Sequence, residues 1–171
     1  MSKEIQHTES ESKQTTKRMD IMEELQELRS HIEHGKYHEA MILIGEMEEM
    51  SRDDKIYKIR SFAKILLLHI IKQEAEKRTT RSWEISVRNS AREISYINKR
   101  RKSGGLYVTD SELKEILSDA YPSALEYASM EAFEGACDEK ELGKMVSPEE
   151  IKNKAFDLIK EYQSNQDRFF H

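Results

Sequence analysis

Apolar residues recur along this chain at three- and four-residue spacings, the period of a helix face. Ile21, Leu25, Leu28 and Ile32 form a first stripe, with Asp20 as its cap and Gly35 as its stop. Ala40, Leu43, Ile44, Met47 and Met50 form a second, between Tyr37 and Met50, and the short join predicts antiparallel neighbours. Ser51-Arg52-Asp53-Asp54 then reads as a break, Asp53 or Asp54 capping a third helix over 54–77. From Phe62 to Ile71 that helix is apolar nearly all round. Such a segment needs cover on most sides, so it is placed at the centre of a bundle with Leu66, Leu67 and Ile70 in the core.

Thr79, Thr80 or Ser82 caps a fourth helix running to about Lys99. Stepping about 100° per residue from Trp83, Val87, Ser90, Ile94 and Ile97 stay within about 40° of it. That stripe assigns Trp83 and Ile94 to the core. Arg81, Arg88, Arg92 and Lys99 fall on the opposite side, and Arg100-Arg101-Lys102 continue the positive charge before Ser103-Gly104-Gly105 breaks the helix. Leu106-Tyr107-Val108 reads as a short extended piece. Thr109-Asp110-Ser111-Glu112 opens a fifth helix through Leu113, Leu117, Tyr121, Leu125 and Ala128, which Pro122 should kink and Gly135 should end. Residues 136–146 read as an irregular connection. Ser147-Pro148-Glu149-Glu150 marks the start of a last helix that buries Ile151, Ala155, Leu158 and Ile159 and fades at Gln163-Ser164-Asn165. The expected fold is an all-α, single-domain bundle of about six helices over 19–163. A polar, disordered arm precedes it at 1–18, and a short tail follows at 164–171.

With 171 residues, 6 glycines and 2 prolines, the composition favours long helices over turn-rich sandwiches and barrels. No run approaches the ~20 apolar residues of a membrane span. The N-terminus lacks the apolar core of a signal peptide, and one cysteine, Cys137, cannot form an internal disulfide; the expectation is a cytoplasmic protein of bacterial style. The net charge of −5 is unevenly spread: residues 78–102 hold eight basic and two acidic side chains, and 103–171 hold seven basic and fifteen acidic ones. A basic segment in an acidic chain either pairs with the protein's own acids or meets an anionic partner.

Three stretches resemble a known family. They are Leu66-Leu67-Leu68-His69-Ile70-Ile71-Lys72, the run Arg78, Arg81-Ser82-Trp83, Arg88, Arg92, and Ala120-Tyr121-Pro122 followed by Ala124, Ala128 and Glu131. Together with Gly35-Lys36-Tyr37 and Glu46 to Met50, they resemble the bacterial family called domain of unknown function 29, over about residues 20–135. Gln73 stands where the family has tryptophan, and the closing element survives only as Cys137 and Ser147-Pro148-Glu149-Glu150. The resemblance implies a helical fold and a bacterial cytoplasmic origin, and it brings no activity, cofactor or site residue.

Candidate chemistry is sparse. His31, His34 and His38 straddle Gly35, which spoils a helical metal site, so they read as exposed polar residues at a helix turn. His69 reads as a buried neutral histidine bonded to a neighbour. The many glutamates lack the Glu-x-x-His pairs of a di-metal bundle. Cys137, beside Asp138 and Glu139, lacks the positive surroundings that activate a thiol. No phosphate loop, dinucleotide fingerprint or zinc pattern occurs. No catalytic residue, metal or cofactor is therefore expected. The expectation is a non-enzymatic interaction module, an adaptor or inhibitor that binds another protein or a second copy of itself. Candidate partner or phosphate contacts are Arg81, Arg88, Arg92, Lys99, Arg100, Arg101 and Lys102, and Phe169-Phe170 are a candidate anchor. The alternative is a nucleic-acid-associated or antitoxin-type regulator whose basic helix, 78–102, grips phosphates. In the structural reading of the same stripe, its arginines pair with Glu46, Glu49 or the acidic fifth helix.

Overall fold

The computed structural model describes residues 21–100 and 104–169. The expected arm at 1–18, Arg101, Lys102, Phe170 and His171 lie outside them. The described residues are all-α: α1 (21–33), α2 (Tyr37–Glu76), α3 (Arg81–Asn98), α4 (Asp110–Glu131), α5 (Glu139–Met145) and α6 (Pro148–Phe169), with a 3₁₀ turn at Ala132–Gly135. The chain falls into two units, Met1–Ser51 and Arg52–His171.

In the first unit, α1 ends in a Schellman motif. Gly35, at φ 70°, donates its N–H to Ile32 O at 3.1 Å, and Lys36 donates to His31 O at 2.8 Å. Of its described residues only Ala40 and Leu43 are fully buried, while Leu25, Ile32, Tyr37, Met41 and Ile42 are exposed.

The second unit holds the main core. Ile59, Ala63, Leu66, Leu67, Ile70 and Ile71 of α2 are completely buried, but on one face of about 140° at 100° per residue; the cover expected on most sides is not found, since Ile65 opposite is 42% exposed. They share one cluster with Val87, Ala91 and Ile94 of α3, Leu113, Leu117, Ala120 and Ala124 of α4, Leu142 of α5, and Ile151, Ala155 and Ile159 of α6. Helix α6 packs along α3 and α4, and α4 also meets α5 and the 3₁₀ turn. Side-chain caps fix the starts of these helices. Thr80 Oγ1 accepts from Trp83 N at 3.1 Å, and Asp138 Oδ1 accepts from Glu141 N at 2.8 Å. Thr109 and Glu112 form a reciprocal capping box. The link from α3 to α4 is tied by a buried asparagine: Asn98 Oδ1 accepts from Val108 N at 2.9 Å, beside an antiparallel bridge between Lys99 and Leu106.

Several boundaries differ from expectation. The predicted break at 51–54 is absent, and the helix expected over 54–77 is the latter part of α2. Asp54 pairs with Lys58 one turn on, at 3.3 Å, a helical use of a residue that also suits a cap. The stretch 136–146 is not irregular throughout, since Asp138 caps α5. Helix α4 runs on through Pro122 and stops at Glu131, four residues before Gly135, because Phe133 and Glu134 turn left-handed at φ 51° and 56°. Helix α6 does not fade at 163–165 but extends to Phe169, so most of the expected tail is helical.

The continuity of α2 makes a direct prediction. Asp53→Pro falls inside a helix, where proline costs ~3 kcal/mol or more; urea unfolding followed by far-ultraviolet circular dichroism should show that loss. A near-neutral variant would mean that a helix starts at 51–54, where proline is tolerated.

Candidate functional site

The stretches that carry the family resemblance meet at one place in the second unit. Lys72 ends the apolar run of α2, and its side chain is 6% exposed. Its ammonium donates to Glu131 Oε2, in the last turn of α4, at 2.6 Å. The same Nζ stands 4.4 Å from the centroid of the Trp83 ring, and the Arg78 guanidinium carbon stands 4.7 Å from it. Trp83 thus has two cations on its π system, an attraction that grows with desolvation. The turn between α2 and α3 is laced around this contact. Arg78 bridges to Glu76 at 3.1 Å, and Gln73 Nε2 donates to Thr79 Oγ1 at 2.8 Å. Lys77 closes α2 with a left-handed φ of 54°. The arrangement ties three helices together through one buried charge.

Trp83 is therefore not a core residue. It is only half-buried, whereas Leu66, Leu67, Ile70 and Ile94 are fully buried. The reason is rotational. The buried residues of α3 are Val87, Ser90, Ala91, Ile94, Ser95 and Asn98, whose mean direction lies about 50° from Trp83 at 100° per residue. The tryptophan sits at the rim of that face and uses its ring on cations.

On the far side of α3, Arg81, Arg88 and Arg92 are exposed. Among the described residues of the second unit, Arg81, Arg88 and Arg92 form no ion pair, so the pairing of these three with the expected acidic fifth helix is not found there. Arg92 reaches only the outer limit of a cation–π contact, 6.0 Å from the Tyr162 ring. Lys99 is half-buried and Arg100 exposed. Arg100 stacks 5.2 Å from the Tyr107 ring, and Lys55 lies 5.9 Å from the same ring. Arg52 donates to Tyr107 O at 3.3 Å and to Glu112 Oε1 at 2.7 Å. The Thr109 backbone N–H, then the Arg52 guanidinium, hold the Glu112 carboxyl below the usual carboxylate range.

The histidines do not converge. His31 meets Glu27 at 3.4 Å, His34 donates to Ser30 O at 2.7 Å, and His69, only half-buried, donates to Ile65 O at 2.8 Å. Among the described residues no three His, Cys, Asp or Glu gather as a metal would need. Cys137 is half-buried against the core. Burial pushes the Tyr121 phenol up, and its hydroxyl has no hydrogen-bond partner.

The family model described as Domain of unknown function DUF29 matches residues 21–161. The chain belongs to that family. The DUF29 match extends past residue 135, where the motif resemblance stops, into α6. No match to the chain was found among curated proteins or among solved structures. No described helix of this DUF29 domain is long and apolar enough to cross a membrane.

Sequence periodicity did not single out the Lys72–Glu131 pair. A lysine closing an apolar run was the available signal, while nothing in α4 marked Glu131 as its partner. The pair should respond asymmetrically to truncation. Glu131→Ala leaves a buried ammonium without its carboxylate and should cost ~1–3 kcal/mol in urea unfolding. Lys72→Met keeps an apolar stem against Trp83, releases a half-exposed carboxylate to water, and should cost less; the reverse order would sink the clamp. Glu112 supplies a second expectation. Its folded-state pKa lies below its unfolded value of ~4.3, so its contribution is complete above that pH and is lost as pH falls through the folded value. The stability gap between wild type and Glu112→Gln should accordingly shrink on acidification from about pH 6 to about pH 3. A gap that stays constant would show that Glu112 is not the group titrating.

Proposed function

We propose that this DUF29 domain acts by binding another protein, without chemistry of its own, through the helical segment 21–51. The observation that carries the reading is exposure. Leu25, Ile32, Tyr37, Met41, Ile42 and Met50 lie 44–66% exposed within one short segment, a density of large apolar side chains that marks interaction surfaces. Methionine, present here at Met22, Met41, Met47 and Met50, adapts its shape to a partner. The same segment carries eight acidic and two basic side chains. Its complement is a basic, amphipathic segment with apolar anchors, the groove-and-helix mode of recognition. A single cysteine suits a reducing compartment, in keeping with work in the cytoplasm.

A second reading rests on Arg81, Arg88 and Arg92, three exposed guanidinium groups on one side of α3 that no described acid of the second unit engages. Such a stripe suits a phosphate backbone, with salt-sensitive and weakly sequence-specific binding.

Affinity capture from host lysate with and without nuclease, followed by mass spectrometry, separates the two when run on two variants. Leu25→Glu with Met41→Glu should deplete the captured protein at least tenfold and leave the helical circular dichroism unchanged. Arg88→Glu with Arg92→Glu should leave capture intact. Loss of capture with nuclease and in the arginine variant, but not in the Leu25→Glu, Met41→Glu variant, would replace the first reading by the second.

A further inference from the structure

In the second unit the outer side of α2 is exposed. Tyr57, Ser61, Ile65 and Leu68 fall within about 80° of one another at 100° per residue and form a strip. Tyr57 is 69% and Ile65 42% exposed, while Phe62 and Leu68 are half-buried against the edge of the core. Lys64 and Arg60 border the strip, about 20° and 60° beyond Tyr57. From Lys55 to Gln73 the sequence holds five lysines and arginines and no Asp or Glu.

Three of those cations are already engaged. Lys58 pairs with Asp54 at 3.3 Å, Lys55 lies 5.9 Å from the Tyr107 ring, and Lys72 pairs with Glu131. Arg60 and Lys64 differ: among the described residues of the second unit, no acid pairs with either. The strip thus sets two such cations beside an exposed aromatic ring and an aliphatic side chain. Tyrosine and arginine are enriched among the residues that anchor protein interfaces.

Segment 21–51 has the opposite character. Its eight acidic and two basic side chains leave it at −6, and Leu25, Ile32, Met41 and Ile42 are 45–65% exposed. Pairing two such segments sets acid against acid, and pairing two α2 strips sets cation against cation. The segment of one copy on the strip of another brings opposite charges and apolar surfaces together. The exposed side of α3 is basic too, but its exposed apolar residues, Ile85 and Tyr96, lie three turns apart. Granted that segment 21–51 is a protein-binding surface, we infer that its partner is a second copy of this chain, which receives it along Tyr57, Arg60, Lys64, Ile65 and Leu68 of α2. Each copy offers both surfaces, so a reciprocal exchange closes as a pair.

Sedimentation of the purified full chain provides the test. Wild type should sediment as twice the 20.1 kDa of one chain, and the dissociation constant should rise about tenfold between about 50 mM and about 500 mM sodium chloride as the charges are screened. Arg60→Glu with Lys64→Glu should weaken pairing at least tenfold and leave the helical circular dichroism unchanged. Tyr57→Ala, at the most exposed side chain of the strip, serves if that variant does not fold. The Leu25→Glu, Met41→Glu variant should lose pairing as well, and Arg88→Glu with Arg92→Glu should keep it. Carbodiimide coupling of a mixture of ¹⁵N-labelled and unlabelled chains should join Lys64 of one copy to a carboxylate of residues 23–49 of the other. A wild type that stays monomeric, a strip variant that pairs as wild type does, or cross-copy links that leave the strip untouched would overturn the inference. The protein-binding reading would outlast each of these results, since it falls only if the Leu25→Glu, Met41→Glu variant still captures its partner from lysate.

Discussion

One apolar face of α2, running from Ile59 to Ile71, has to be kept from water, and the second unit is organised by that requirement. Ile59, Ala63, Leu66, Leu67, Ile70 and Ile71 fill that face, so α3, α4, α5 and α6 each contribute residues to the cluster around them, while Ile65 on the far side stays 42% exposed. The requirement also explains the polar devices at the edges of the core. Helix ends that approach buried surface must satisfy their backbone groups internally, and Thr80, Thr109, Asp138 and Asn98 do so. At the end of the run the constraint falls on Lys72. A charge so near the core is tolerable only when paired and hydrogen-bonded, and Glu131 and the Trp83 ring supply that compensation from two further helices.

The first unit shows the same physics with less material. Two helices and a turn enclose only Ala40 and Leu43 among the described residues. The rest of the apolar stripes stay half in water although their spacing is as regular as in the core. Regular amphipathic spacing therefore predicts a helix face in both units but predicts burial only where enough other chain is present to cover it.

What could be read from the sequence follows that division. The helix stripes, the caps at Thr80 and Thr109, the stop at Gly35 and the start at Ser147-Pro148 are local signals, and local physics decides them. Features set by distant partners were hidden. Asp53 and Asp54 suit a cap or an exposed helix position equally, and only the surrounding helix selects the second. Past Ile159 the apolar spacing of α6 thins to Tyr162 and Phe169, yet the helix continues and Gln163 is buried. Trp83 was misplaced because periodicity gives the relative angles of side chains on a helix but not the direction of the core, an error of about 50°. The pairing of Lys72 with Glu131, 59 residues apart, is a contact between elements, which no single stripe encodes.

The turn after Glu131 shows how the clamp and the core support each other. Phe133, Glu134 and Gly135 are successive left-handed residues, and for the two that carry side chains this costs ~1–2 kcal/mol each. Glycine is favoured at the third, where φ is 81° and a Cβ would crowd Met130 O at 3.1 Å. The strain is held from both sides: Phe133 packs against the buried cluster, and two residues earlier Glu131 is fixed by Lys72. A chain so constrained cannot extend α4 by another turn, which would carry Phe133 away from the core. The abrupt end of α4 thus fixes the place from which Glu131 reaches back to α2, and the buried lysine and the strained turn are parts of one device.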